Sequence, residues 1–124
     1  MDLCNITEIK ALLARHGFHF SKAKGQNFLT QSWVPQNIVL ESGVDETCGV
    51  LEVGPGIGPL TQQLCRSAKK VVAVEVDRSL QSVLAETMAG NENLTILFAD
   101  ILKTDIKALV EEEFSGFIFK IQAN

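Results

Sequence analysis

The chain has 124 residues, of which 46% are hydrophobic and 21% are charged, and its formal net charge at pH 7 is −4. This length suits one domain with an ordinary hydrophobic core, and the apolar content argues against intrinsic disorder. The net charge does not by itself favour a nucleic-acid binder, and the sequence lacks both a signal-peptide pattern and an apolar run of the roughly 18 residues that a membrane span needs. We therefore expect a cytoplasmic globular protein with no membrane association.

The charge is unevenly distributed along the chain. Residues 1–30 hold four basic and two acidic residues, whereas the remaining residues hold seven basic and thirteen acidic ones. The basic segment is either an arm that faces phosphate groups or an ordinary solvated segment. The three cysteines have no metal-ligand spacing, so we predict reduced thiols packed as small apolar side chains, and no metal site.

Two helices are predicted in the first part of the chain. The first begins at Asn5 in a capping-box-like arrangement and ends before Gly17. Residues 18–30 show no clean period and indicate an ordered loop. The second helix is capped by Ser32 and ends at Gly43.

From residue 49 onward, short apolar runs alternate with helical stretches, a pattern typical of β-α-β units with parallel strands. Strands are predicted at 50–53, 71–76, 94–98 and 117–121, and helices at 60–68, 79–88 and 106–114. We therefore predict an α/β fold with a doubly wound sheet of at least four strands. The predicted organisation is an N-terminal helical region over residues 1–48, followed by the α/β region over residues 49–124.

A glycine-rich loop, residues 54–58, follows the first predicted strand. It reads Gly54-Pro-Gly56-Ile-Gly58, with Glu52 before it and a helix after it. Glycines let a ligand approach the backbone, and the amides at the start of the helix can donate to that ligand. The dinucleotide fingerprint needs glycine where Pro59 stands, and a P-loop needs a Gly-Lys-Ser/Thr sequence that is absent. The glycine loop is typical of S-adenosylmethionine-dependent methyltransferases, with a nucleotide-binding oxidoreductase as the alternative.

Acidic residues follow the next two predicted strands. Glu75 ends the second strand, where a carboxylate can accept hydrogen bonds from both hydroxyls of a ribose. NAD-binding proteins use the same arrangement, so Glu75 does not separate the two classes. Asp77 is expected to face solvent or to cap the next helix. Asp100 ends the third strand beside the expected ligand crevice, where it either accepts from an adenine amine or caps a helix.

Taken in order, these motifs resemble those of the ribosomal RNA adenine N6,N6-dimethyltransferases. The matching segments are residues 21–29, 51–61, 74–77, 98–100 and 120–124. The similarity covers about residues 17–124, and Gly25-Gln-Asn-Phe-Leu29 is its most specific part, because a generic methyltransferase lacks that segment upstream of the glycine loop. The resemblance implies a Rossmann-like class I S-adenosylmethionine-dependent methyltransferase fold, truncated after about the fourth parallel strand.

The resemblance also implies S-adenosylmethionine as the cofactor, and it assigns the contacts. The implied cofactor-binding residues are Asn27, Leu29, Gly54, Gly56, Glu75, Asp100 and Asn124. Asn124 would begin the family's Asn-Leu-Pro-Tyr motif, whose Asn grips the target amine, so it is also the implied catalytic residue. Composition and spacing alone would not assign Asn27 or Leu29.

The implied activity is metal-free dimethylation of adenine N6 in small-subunit (16S) ribosomal RNA within a pre-ribosomal particle. His16 and His19 are then expected to face RNA or to be structural. The sequence contains no Tyr and stops at the start of the Asn-Leu-Pro-Tyr motif. We therefore expect a cofactor-binding fragment that is inactive alone and self-associates through its last strand, and a monomeric full-length enzyme.

Three alternatives stay open at this point. They are a large-subunit adenine methylase of the macrolide-resistance type, a non-catalytic RNA-binding assembly module and a nicotinamide-binding domain. Pro59 and the upstream Gln26-Asn27 pair disfavour the last of these.

Overall fold

The structure is a computed structural model, and it describes residues 2–18, 33–115 and 118–123. Its elements in chain order are α1 (Ile6–Arg15), α2 (Trp33–Ser42), β1 (Cys48–Val53), α3 (Pro59–Ser67), β2 (Lys70–Glu75), α4 (Gln81–Thr87), β3 (Leu94–Phe98), α5 (Ile106–Glu113) and β4 (Ile118–Ala123). Short 3-10 helices precede α4 at Arg78–Leu80 and follow β3 at Ile101–Lys103. The predicted order of strands and helices is confirmed, with bounds that differ by one or two residues.

The four described strands form one parallel sheet in the order β3-β2-β1-β4. Leu51 of β1 pairs with Val72 of β2 on one side and with Ile121 of β4 on the other. The strand order therefore reverses at β1, which confirms the doubly wound prediction. In such sheets the ligand crevice opens at the carboxyl ends of the strands beside the reversal, which is where the glycine loop leaves β1.

Helices bury apolar side chains on both faces of this sheet, because alternate residues of a parallel strand point to opposite faces. Val50 of β1 packs with α2 and α3, while Leu51 packs with α5. A third cluster joins α1 and α4 and consists of Leu3, Ile9, Leu12, Leu13, Ile57, Val83, Leu84 and Met88. Ile57 belongs to the glycine loop, so this cluster couples the loop to the two helices.

The start of α1 confirms the Asn5 cap and corrects one detail of it. The Asn5 side chain accepts hydrogen bonds from the amides of Thr7 and Glu8, at 3.0 and 3.2 Å. The return bond of a capping box is not formed, because the Glu8 carboxylate accepts from the Asp2 amide at 3.2 Å. The helix ends as predicted before Gly17, which has a φ of +80°.

The predicted cap residue Ser32 and residues 19–30 of the predicted loop lie outside the described residues. The three cysteines are free and buried, as predicted. Among the described helices, none is both long enough and apolar enough to cross a membrane.

Candidate functional site

The glycine loop connects β1 to α3 at the carboxyl edge of the sheet. The Gly54 amide donates to the Val74 carbonyl at 2.9 Å, which extends the β1–β2 ladder into the loop. The Gly58 amide donates to the Pro55 carbonyl at 3.0 Å and closes a turn just before α3. Between these two points the Ile57 side chain is buried in the α1–α4 cluster. The loop is therefore held at both ends and anchored in its middle.

Open space lies beside the first two glycines. Gly54 and Gly56 have φ values of +75° and +61°, and a Cβ built on either would meet no atom of the described residues within 4 Å. A side chain in either place would be strained by its backbone conformation and would fill the space above the loop. This space can admit a ligand against the backbone.

Gly58 is needed for a different reason. Its φ is +105°, and a Cβ built there would lie 2.6 Å from Cε of Met88, the residue that follows α4. Gly58 thus brings the loop into close packing with α4, and Pro59 follows it as the first residue of α3.

Glu75 joins β2 to the glycine loop. Its side chain is only 5% exposed, and its Oε1 accepts from the Gly56 amide at 3.0 Å. Its Oε2 accepts from the Asp77 amide, also at 3.0 Å. A carboxylate offers about four acceptor positions, so these two bonds leave capacity for the hydroxyls of a ligand. The structure therefore brings together two sequence-predicted elements, the acid at the end of β2 and the glycine loop.

Asp77 and Asp100 both cap short 3-10 helices. Asp77 Oδ1 accepts from the Ser79 amide at 3.0 Å, which confirms the capping role predicted for it. Asp100 Oδ1 accepts from the Leu102 amide at 2.9 Å, so the capping alternative for Asp100 is formed. The second oxygen of the Asp100 carboxylate is a further acceptor, which makes capping compatible with a ligand contact.

The ends of β2 and β3 lie side by side. The Ala99 amide donates to the Glu75 carbonyl at 3.0 Å, so Glu75 and Asp100 follow adjacent strands at the same edge of the sheet. Three other predicted site residues, Asn27, Leu29 and Asn124, lie outside the described residues.

Glu52 and Thr61 form a pair that was not predicted from the sequence. Glu52 precedes the glycine loop on β1, Thr61 follows it on α3, and the Thr61 hydroxyl donates to Glu52 Oε1. Both residues are 0% exposed. Burial, and to a smaller extent the nearby Glu52 carboxylate, raises the pKa of the Cys65 thiol to about 12. The sequence signal that could have indicated this pair is Glu52 itself, because it is an acidic residue in an otherwise apolar strand.

His16 has a structural position. Its Nδ1 lies 3.0 Å from the Ser82 hydroxyl and its Nε2 lies 3.0 Å from Glu86 Oε1, both on α4. Arg15 forms an ion pair with the same Glu86 carboxylate. His16 therefore ties the end of α1 to α4, while His19 lies outside the described residues. In the part of the chain that is described, no three His, Cys, Asp or Glu residues are grouped so that they could hold a metal ion.

Two solved structures with a similar fold carry the names of RNA or adenosine methyl-transferring enzymes. The 23S rRNA methyltransferase ErmE has a TM-score of 0.60 and 24% sequence identity, over 78% of this chain and 48% of its own length. A dimethyladenosine transferase from Plasmodium falciparum has a TM-score of 0.55 and 22% identity, over 73% of this chain and 39% of its own. The fold is that of class I S-adenosylmethionine-dependent methyltransferases, as predicted.

The sequence relatives are closer. Ribosomal RNA small subunit methyltransferase A of Geobacillus thermodenitrificans is 45% identical over 114 residues, which are 92% of this chain and 39% of that protein. The chain spans about two fifths of the length of such curated relatives. The family model for ribosomal RNA adenine dimethylases matches residues 17–124. This agrees with the family indicated by the motifs, and the chain belongs to the ribosomal RNA adenine dimethylase family.

Proposed function

We propose that the glycine loop and the ends of β2 and β3 bind S-adenosylmethionine. The observation that carries this proposal is the position of Glu75, a nearly buried carboxylate hydrogen-bonded to the loop amide of Gly56. A cofactor with an amino-acid part and a ribose needs open backbone beside an acceptor pair. The space beside Gly54 and Gly56, next to Glu75, fits that need.

Each part of the site has its own task. Gly54 and Gly56 admit the amino-acid part, Glu75 accepts from the ribose hydroxyls, and Asp100 accepts from the adenine amine through its second oxygen. The bound cofactor would supply an electrophilic methyl group on a positively charged sulfonium. The residues of this chain then serve to orient and desolvate rather than to act as a strong base, since positioning is what this type of transfer needs most.

For the complete protein we propose dimethylation of adenine N6 in small-subunit (16S) ribosomal RNA, in the cytoplasm and during ribosome assembly. The names of the relatives at about 45% identity support the small subunit as the target. The family resemblance supports Asn27 and Leu29 as further cofactor contacts, and Asn124 as the residue that grips the target amine. The full-length enzyme is proposed to act as a monomer.

Calorimetric titration with S-adenosylmethionine, and with NAD as the comparison ligand, tests the cofactor proposal. We expect saturable binding of S-adenosylmethionine alone. Glu75→Ala should weaken it by at least about 100-fold, because two charge-assisted hydrogen bonds to the ribose are lost, each contributing roughly 1.5–3 kcal/mol.

The matched control for Glu75→Ala is Asp105→Ala. Asp105 caps α5 by accepting from the Ala108 amide at 3.1 Å, so its loss lowers stability without touching the loop. Its affinity for S-adenosylmethionine should equal that of the wild type. Binding of NAD instead of S-adenosylmethionine would overturn the proposal.

Methyl transfer by the 124-residue chain is a separate question. A flipped adenine is normally received by an aromatic side chain, and the sequence contains no Tyr to serve as the family's aromatic residue. We propose that the chain alone does not methylate RNA. Transfer of labelled methyl groups to small-subunit ribosomal RNA by the isolated chain would contradict this.

The edge of the sheet at β4 supports a proposal about self-association. Within the described part of the chain, β4 pairs with β1 alone, and its Ile121 side chain is 57% exposed. An apolar strand edge offers unpaired backbone groups to another copy of the chain. Light scattering should show oligomers that Ile121→Lys reduces and that Leu40→Lys, at an exposed position of α2, does not. A monodisperse wild-type monomer would contradict the proposal.

A further inference from the structure

The buried hydrogen bond between Thr61 and Glu52, which we call the loop brace, stands at the base of the glycine loop. Glu52 lies two residues before Gly54, and Thr61 lies three residues after Gly58, so the brace joins the two sides from which the loop emerges. Neither residue belongs to the cofactor contacts proposed above.

The brace is fully buried, on two elements that also share an apolar cluster. Val50, Leu60, Leu64 and Cys65 form the cluster between β1 and α3, and Glu52 and Thr61 lie on those same two elements. A carboxylate and a hydroxyl are costly to bury there, whereas two apolar side chains would pack without desolvation of polar groups. Apolar contacts are also non-directional, so they would hold β1 and α3 together without fixing their exact relation.

A hydrogen bond to a carboxylate is directional, so it fixes the position of α3 relative to β1. Thr61 is the third residue of α3, in the first turn, so the brace sets where α3 begins relative to the end of β1. The positive end of the helix dipole also favours a carboxylate beside this turn. With both ends set, the five residues of the glycine loop have little freedom to leave the conformation that keeps its first two glycines open.

We propose that Thr61 is a positioning residue which acts through Glu52 to hold the glycine loop in its ligand-admitting conformation before the cofactor binds. This deepens the proposed function and rests on the cofactor site described there. The loop is preorganised in this way, and the cofactor does not have to order it on binding.

The experiment compares three variants of the full 124-residue chain. Thr61→Val keeps the shape of the side chain and removes the hydroxyl, and Thr61→Ser keeps the hydroxyl. Thr47→Val is the matched control, because the Thr47 hydroxyl also donates to a carboxylate, that of Asp45, but stands just before β1, at the end of the strand away from the glycine loop. Two readouts are used, amide hydrogen exchange of the loop without ligand and calorimetric affinity for S-adenosylmethionine.

We expect Thr61→Val to speed exchange at Gly56 and Gly58 and to weaken binding, each by about tenfold, as the loss of one hydrogen bond to a charged group implies. Thr61→Ser should restore both values, and Thr47→Val should change neither. A purely structural role would lower the unfolding temperature of Thr61→Val without faster exchange at Gly56 and Gly58. Equal loop exchange and equal affinity in Thr61→Val and Thr47→Val would overturn the proposal.

Two further measurements separate the possible failures. If Thr61→Val does not fold, Glu52→Gln provides the test, since it keeps the size and an acceptor but removes the charge from the bond. Faster loop exchange in Glu52→Gln supports the brace, and wild-type exchange overturns it. If the wild type binds no S-adenosylmethionine, the proposed function fails, but the ligand-free exchange measurement still decides whether the brace orders the loop.

Discussion

Carboxylates serve two regions of this molecule in very different settings. At the glycine loop, Glu52 and Glu75 are almost completely buried, and their described partners are a Thr hydroxyl and backbone amides. Where α1 meets α4, Glu86 lies at the surface and pairs with the cationic Arg15 and with His16. A count of opposite charges alone would rank the contact between α1 and α4 as more strongly stabilised than the glycine loop.

The exposure of the ion pairs and the burial of the loop carboxylates reverse that ranking. An ion pair in water is weakened by screening and by the entropy of its long side chains, so it contributes little. A buried carboxylate that loses its donor cannot turn to water instead, so each of its hydrogen bonds matters more. The comparison indicates that the loop depends on its polar contacts, while the α1–α4 contact depends on the apolar cluster beneath its ion pairs.

Leu12→Ala gives the largest expected effect and tests the second half of this comparison. Leu12 of α1 is fully buried against α4, and its truncation leaves a cavity in the α1–α4 cluster. We expect the free energy of unfolding in urea to fall by about 3 kcal/mol. Leu40→Ala, at a Leu that is 76% exposed on α2, should change it by less than about 0.5 kcal/mol. Equal losses in the two variants would show that α1 is not held by apolar burial.

Gly58→Ala has an intermediate expected effect and tests the packing of the loop. The added Cβ meets Met88, and the φ of +105° is unfavourable for Ala, so we expect a loss of about 2 kcal/mol in the free energy of unfolding. Gly90→Ala is the control, because Gly90 has a φ of +88° and a Cβ built there would meet no described residue within 4 Å. It should lose about 1 kcal/mol from the backbone alone. If both variants lose the same amount, the contact with Met88 is unimportant.

The sequence predicted the features that depend on short, local patterns of residues. Apolar runs predicted each of the four described strands, and the glycines and Glu75 indicated the strand ends at which we propose the site. The capping partner of Asp100 stayed open because a carboxylate at a strand end suits both a helix amide and a ligand. The brace between Glu52 and Thr61 was not found, since its two residues meet only when α3 folds back along β1.

The α1–α4 contact shows the same limit. His16 was expected to be structural or to face RNA, but nothing local to it identifies Ser82 and Glu86 as its partners, more than sixty residues away in the sequence. Long-range pairs of this kind follow from the topology rather than from spacing. The Arg15 charge, counted in the sequence as part of a basic segment, is likewise paired with Glu86 in the structure.

Glu86→Gln gives the smallest expected effect and concerns pH. Hydrogen bonds from Arg15 and His16 lower the pKa of Glu86 below its ordinary value of 4.5. A lowered folded-state pKa means that folding favours the ionised carboxylate, so this stabilisation is present above the unfolded pKa and is lost as pH falls through the folded one. Urea unfolding at decreasing pH should show a small wild-type advantage at pH 7 that disappears in acid and shrinks with added salt. An advantage that persisted in acid would mean that Glu86 acts through packing, and the contrast with the buried carboxylates of the loop would then lose its electrostatic basis.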